Sequence, residues 1–313
     1  MKRNKGRSSR AAGIKRKYGF HNSKSLGQNF LTDESVIDDI VEASGTGPGD
    51  LVIEIGPGMG VLTAAAAERA GRVIAVEVDK RLIPVLSETL SDYDNIEIIN
   101  ADIMKTDLKK IIDENRPEAP DGSVRIMGNL PYYITTPILM KLLESRVPAE
   151  TITIMMQKEV ADRIMAEPGS RTYGALTVAV SYYCKANRVR EVSRECFSPV
   201  PKVDSTVLRL DRRHSRPVEI KDEKLLFETV KAGFGKRRKT MANAMSGLRG
   251  LEKSDVSEIL KRAGVEPSRR AETLSLEEFA AISDAVYDAV TARSGIPESP
   301  PAKAHDLAAE IHK

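Results

Sequence analysis

At 313 residues and 41% hydrophobic content the chain has enough apolar material for one large domain or two, and no apolar run approaches the roughly 18 residues of a membrane span. Forty-eight Lys and Arg against 45 Asp and Glu leave a formal net charge of only +3, so attraction to a polyanion must come from where the charges sit. Cys184 and Cys196 lack metal-ligand or C-x-x-C spacing, His21, His214, His305 and His312 lie far apart, and no signal peptide opens the chain; a cytoplasmic protein with reduced thiols, no metal and no histidine base is expected.

Residues 1–23 carry Lys2, Arg3, Lys5, Arg7, Arg10, Lys15, Arg16 and Lys17, with no acid before Asp33, and read as a basic, disordered tail able to hold phosphate. A transit peptide has similar composition, but an apolar helical face is missing. Ser25 to Leu31 follows, and Thr32-Asp33-Glu34 supplies caps for a helix through Val41.

Leu51 to Ile55 is a short apolar strand running into Gly56-Pro57-Gly58-Met59-Gly60, and Leu62 to Ala70 reads as the helix after it. This is the opening of a nucleotide-binding α/β unit. The dinucleotide fingerprint requires a third glycine at position 61, where this chain has Val, so a NAD-linked enzyme is disfavoured. A cofactor without pyrophosphate fits the shorter spacing, and Glu54 beside the turn suits a cationic one. The next strand, Val73 to Val78, contains Glu77 about 20 residues beyond the glycines, where a carboxylate accepts from ribose hydroxyls. A third strand, Asn95 to Asn100, leads to Asp102, an acceptor for an adenine amino group.

A fourth apolar run, from Val124, ends at Asn129-Leu130-Pro131-Tyr132. An exocyclic aromatic amine is a poor nucleophile because its lone pair is delocalised into the ring. The Asn129 side-chain oxygen and the Leu130 carbonyl are acceptors able to favour a pyramidal nitrogen, Pro131 restricts the turn, and Tyr132 offers a ring for stacking.

The expected elements continue with a helix from Pro137 to Leu143, a strand from Thr151 to Met156, a helix from Gln157 to Ala166, a further helix or packed apolar segment from Tyr173 to Tyr183 and a strand from Thr206 to Leu210. Phe197 in the proline-rich loop before the last strand is either a second stacking ring or a core plug. Beyond Pro217 only helical spacing remains, with Lys236, Arg237, Arg238 and Lys239 as a basic cluster fit for phosphate.

The chain resembles the KsgA-type family of ribosomal RNA adenine N6,N6-dimethyltransferases, above all its bacterial branch. The resemblance covers about residues 24 to 285 and rests on Leu26-Gly27-Gln28-Asn29-Phe30-Leu31, Glu54 to Gly60, Asn129 to Tyr132, Gln157-Lys158-Glu159-Val160, Phe197 to Ser205 and Arg237 to Thr240. It implies a Rossmann-like class I S-adenosylmethionine-dependent methyltransferase domain over 24–213, an all-helical RNA-contacting domain over 214–292, and a flexible C-terminal tail over 293–313. It further implies that Asn29, Leu31, Gly56, Gly58, Glu77, Asp102 and Asn129 border S-adenosylmethionine, and that Tyr132 and Phe197 flank the target base. The implied substrate is a pair of adjacent adenosines in the 3′-terminal hairpin of small-subunit ribosomal RNA, within the immature subunit, acted on by a monomer. Two alternatives are a large-subunit adenine dimethyltransferase of the macrolide-resistance type, and an assembly checkpoint acting mainly by binding.

Overall fold

The computed structural model describes residues 6–20, 22, 27–116, 122–236 and 238–294. In chain order the elements are α1 (Arg7–Lys17), β1 (Phe30–Leu31), α2 (Glu34–Ser44), β2 (Leu51–Ile55), α3 (Val61–Ala67), β3 (Arg72–Glu77), α4 (Ile83–Thr89), β4 (Ile96–Asn100) and α5 (Leu108–Glu114). Then come β5 (Val124–Asn129), α6 (Thr135–Glu144), β6 (Thr151–Gln157), α7 (Lys158–Ile164), α8 (Ala175–Tyr183), β7 (Cys184–Val192), β8 (Phe197–Ser198) and β9 (Ser205–Arg212). The chain continues through α9 (Glu223–Gly235), α10 (Met241–Ala244), α11 (Lys253–Arg262) and α12 (Leu276–Ser294).

Seven strands form one sheet in the order β4-β3-β2-β5-β6-β9-β7, and β1 pairs with β8 as a separate two-stranded ladder. β4 through β6 run parallel, and β9 lies antiparallel to both β6 and β7. From β2 the chain winds outward through β3 and β4, then returns to the other side of β2 for β5 and β6. The crevice beyond the carboxyl ends of β2 and β5 is therefore the switch point at which open α/β sheets bind ligands. Leu51 to Ile55 is buried at every position, as a central parallel strand covered on both faces must be. On one face Val52, Val73, Met127, Met155 and Val207 join Val36, Ile37 and Ile40 of α2 and the alanines of α3 in a continuous core.

Two compact units emerge, one of Met1–Asp162 with Cys184–Arg212, the other of Arg163–Tyr183 with Arg213–Lys313. The expected boundary at 213/214 thus needs correction, because residues 163–183 belong to the helical unit. The reason is local chemistry: α8 is apolar on most of its surface, Tyr182 and Tyr183 both donate to the Glu223 carboxylate (3.0 and 2.9 Å), and Tyr183 stacks on Phe227. The remaining core of that unit is built from Leu226, Val230, Met241, Leu260, Phe279 and Ile282.

The disordered tail expected over 1–23 is corrected over residues 7–17, which form α1. Its cations are consumed by acids of the same unit: Arg7 donates to Glu34 (3.2 Å) and Asp38 (2.6 Å), Lys17 to Glu88 (2.8 Å), and Arg10 pairs with Asp92. Ala11 and Ile14 are buried beneath. The C-terminal tail is expected over residues 293–313, of which 295–313 lie outside the described residues.

Candidate active site

The glycine turn after β2 comes first. Gly56, Gly58 and Gly60 take left-handed backbone angles (φ 71, 58 and 79°), which L side chains rarely adopt. At Gly58 a Cβ would also stand 3.1 Å from the Phe30 ring, so this glycine lets the β1 segment close over the turn. Gly128 serves a different approach, since a Cβ there would lie 2.6 Å from the Ile55 carbonyl; its absence brings the end of β5 against the end of β2.

Around this turn lies a cavity of about 220 Å³, lined by Gly27 to Leu31, Glu54 to Met59, Glu77, Val78, Leu82, Asp102, Ile103, Asn129 to Ile134 and Ile138. All seven residues read as cofactor ligands stand on its wall, as do Leu130, Pro131 and Tyr132. Glu77, 5% exposed at the end of β3, accepts from Asp79 N–H (2.8 Å) and Gly58 N–H (3.4 Å), which fixes its carboxylate beside the turn. Burial raises its pKa, and these backbone donors oppose the rise. Asp102 sits in the turn after β4, where its Oδ1 accepts from Met104 N–H at 2.9 Å.

Asn129 ends β5. Its Nδ2 donates to the Asn29 carbonyl at 3.2 Å, so its amide is held with Oδ1 as the group left to accept from a substrate. Leu130 is 1% exposed, and its N–H donates to the Met155 carbonyl (3.2 Å). The Pro131 carbonyl accepts from Ile134 N–H (3.1 Å) and Thr135 Oγ1 (3.0 Å), closing the loop onto α6. Tyr132 shares a hydrogen bond with Ser205 Oγ (2.8 Å), and burial raises its phenol pKa.

Phe197 packs in the core of this structure. It pairs with Leu31 across β8 and β1, is 3% exposed and belongs to the core, so its ring is occupied in packing and does not stand on the cavity wall. The basic cluster lies in the helical unit: Lys236, Arg238 and Lys239 are exposed, and Arg237 lies outside the described residues.

Other side chains join the site through contacts that the sequence does not show. Gln28 donates to Asp79 (2.9 Å), which also pairs with Arg81 (2.6 Å); Arg81 in turn covers the Phe20 ring, which packs against Phe30. Gln28 enters the sequence reading only as part of a motif, and neither its bond to Asp79 nor the seat of Arg81 over Phe20 shows locally, because both join segments far apart in the chain. Glu54 is 1% exposed, and its Oε2 has no hydrogen-bond partner among the described residues. Burial pushes its carboxyl up to about 8, with the Thr63 hydroxyl opposing and the Glu77 carboxylate adding to the rise. Protonated while the cavity is empty, such an acid becomes a counter-charge only when a cationic ligand binds beside it and favours its ionised form. S-adenosylmethionine fits this donor set: a cation for Glu54, ribose hydroxyls for Glu77, an adenine amine for Asp102.

Together the switch-point crevice, the glycine turn and the acids on successive strand ends define a Rossmann-like transferase site for a nucleoside cofactor. The profile of the family described as ribosomal RNA adenine dimethylase matches residues 19–286, and the chain belongs to that family. Ribosomal RNA small subunit methyltransferase A of Clostridioides difficile is 47% identical over 280 residues, covering 90% of this chain and 96% of that one. The protein of the same description from Alkaliphilus oremlandii is 50% identical over 272 residues, covering 87% and 94%. Among solved structures, a dimethyladenosine transferase from Plasmodium falciparum superposes with a TM-score of 0.68 at 25% identity, covering 81% of this chain and 95% of that one. The 23S rRNA methyltransferase ErmE gives a TM-score of 0.62 at 31% identity over 83% of this chain and all of that one. The chain is an S-adenosylmethionine-dependent ribosomal RNA adenine methyltransferase. Residues 7–17, the whole of α1, lie outside the matched span.

Proposed function

We propose that the protein dimethylates N6 of two adjacent adenosines in the 3′-terminal hairpin of small-subunit ribosomal RNA, acting as a cytoplasmic monomer on the immature subunit. The single observation that carries the mechanism is the Asn129 amide, tethered to the Asn29 carbonyl on the wall of the cavity that also holds Glu77 and Asp102.

Bound in this cavity, S-adenosylmethionine supplies an electrophilic methyl on a positively charged sulfur. The chain's own residues do the rest by positioning. Asn129 Oδ1 and the Leu130 carbonyl accept the N–H bonds of the target amine and draw its lone pair out of the ring. Tyr132, held by Ser205, stacks on a base turned out of its helix. Glu54 and Glu77 hold the cofactor's charge and ribose, and Asp102 its adenine. The methylated nitrogen is transiently cationic and acidic, so it sheds its proton to water or a carbonyl without a dedicated base.

ErmE keeps the large-subunit reading in view, because it shares the fold. The small-subunit reading is favoured by the 47–50% identity to relatives named for the small subunit. The test is to incubate the purified protein with labelled S-adenosylmethionine and immature small subunits, then map the modified nucleotides. Label on two adjacent adenosines near the 3′ end supports the proposal; no label there, with label on large-subunit RNA offered in a parallel reaction, reverses it. A Glu77→Ala variant that fails to methylate yet restores subunit maturation fully would make binding, and not methylation, the principal task.

A further inference from the structure

Lys141 lies on α6, the helix that leaves the Asn129–Ile134 loop, and nothing in its sequence surroundings connects it with the cofactor. Its Nζ donates to three main-chain carbonyls, those of Ile103 (2.7 Å), Met104 (2.9 Å) and Thr106 (2.7 Å). An ammonium carries three protons, and each has a carbonyl here. The three acceptors belong to one short turn, and the other bonds of that turn converge on Asp102. The Asp102 carbonyl accepts from Lys105 N–H (2.9 Å), Thr106 N–H (3.0 Å) and Thr106 Oγ1 (2.8 Å), while its side chain accepts from Met104 N–H (2.9 Å).

Carbonyls converging on one point repel each other unless a cation sits among them, so Lys141 stabilises the shape of this turn. Burial lowers the Lys141 pKa, with Asp102 and Asp107 opposing, as for an ammonium drawn partly out of water. Ile103 on the turn and Ile138, one turn before Lys141 on α6, both line the cavity. The lysine therefore fastens the wall that carries Asp102 to the helix that follows the catalytic loop.

We propose that Lys141 is a positioning residue that aims Asp102 at the 6-amino group of the cofactor's purine, and so sets the preference for adenine over a purine bearing an oxygen there. The inference rests on the reading of Asp102 as the adenine acceptor. A mere staple would support stability alone; a positioning residue also controls which base is accepted.

The experiment measures dissociation constants of the full-length protein for S-adenosylhomocysteine and for S-inosylhomocysteine, in which an oxo group replaces the 6-amino group. The parent is expected to prefer the adenine form by at least about tenfold, because the oxo group faces a carboxylate. Lys141→Met should weaken S-adenosylhomocysteine by about tenfold, shrink the preference to about twofold, and raise the KM for S-adenosylmethionine while changing kcat by less than about threefold. Should that variant fail to fold, Lys141→Gln, which keeps two donors, is read by the same ratio. A folded variant with lowered melting temperature but the parental ratio overturns the proposal. Asp102→Asn separates the two layers. A ratio altered by Asp102→Asn but not by Lys141→Met removes the role of Lys141 alone, whereas a ratio altered by neither removes the Asp102 reading and this inference with it.

Discussion

Glu54 shows how a single side chain links fold, ligand and pH. Its carboxyl keeps a proton up to about pH 8 in the folded chain and loses it near the ordinary 4.5 once unfolded. The folded state thus binds more protons between these values, and stability falls as pH rises through that window. Glu54→Gln is expected to flatten the pH dependence of the urea midpoint from about pH 5 to 8 and to be the more stable protein at the upper end. Affinity for S-adenosylmethionine should rise with pH over the same range in the parent, since a bound cation favours the ionised acid, and should not rise in the variant. An unchanged stability slope in Glu54→Gln would contradict the raised carboxyl, and an affinity that rises with pH equally in parent and variant would separate Glu54 from the cofactor.

Asn129 is proposed to act on the other reactant, the target amine. Asn129→Ala should lower turnover by about a hundredfold or more while donor affinity changes by less than about threefold, because its contribution is made mainly in the transition state. Equal losses in rate and affinity, measured by single-turnover methylation and calorimetry, would contradict that role. Glu77, Asp102 and Asn129 were readable from sequence for a physical reason: in a parallel sheet all carboxyl ends face one crevice, so polar residues closing successive apolar runs converge. Lys141 and Gln28 gave no such signal, because their partners are main-chain carbonyls or acids brought close only by tertiary folding. Phe197 gave no such signal either, since its burial follows from the pairing of β8 with β1, which are far apart in sequence.

Among the elements, α1 departs furthest from expectation. Its sequence, RSSRAAGIKRK, offers only Ala11 and Ile14 to a core and would be judged a solvated tail. What holds it is long-range pairing, with Arg7 8% exposed among Glu34, Asp38 and Glu68. Removing one partner from such a cluster leaves the others uncompensated, and Arg7→Ala should cost on the order of 2 kcal/mol in chemical denaturation. Because Lys15 stands over the Phe30 ring, and Phe30 roofs the glycine turn, the same variant should raise the KM for the donor more than it lowers kcat. A parental KM would reduce α1 to a stabilising appendage. β7 was missed for a different reason. As the sheet's edge strand it exposes Lys185, and Arg188 pairs with Asp162 and Glu191, so the apolar signature of β2 to β6 is absent while the charges guard an open edge. By contrast β2 and β6 are buried at nearly every position, which is why their continuous apolar runs located them correctly.

At the scale of the whole molecule, a nearly neutral chain must bind a polyanion through local clusters. Most basic residues of α1 are spent on internal acids, leaving the exposed Lys236, Arg238 and Lys239 of the helical unit as the stronger candidates for holding phosphate. Reversing Arg238 and Lys239 to glutamate should weaken RNA binding about equally for all sequences and reduce the slope of log affinity against log salt by about one for each phosphate no longer neutralised. An unaltered slope would return these side chains to a solvated face.

The carboxyl ends of β2, β3, β4 and β5 border one pocket, and the proposed function needs the methyl donor there against an extruded adenine. The most direct measurement is a crystal structure of the full chain with S-adenosylhomocysteine bound. Its ribose hydroxyls are expected on Glu77, its adenine amine on Asp102, and its sulfur on the side of the pocket where Asn129 stands. A ligand seated elsewhere, or an Asn129 amide turned away from the sulfur, would contradict the proposed function.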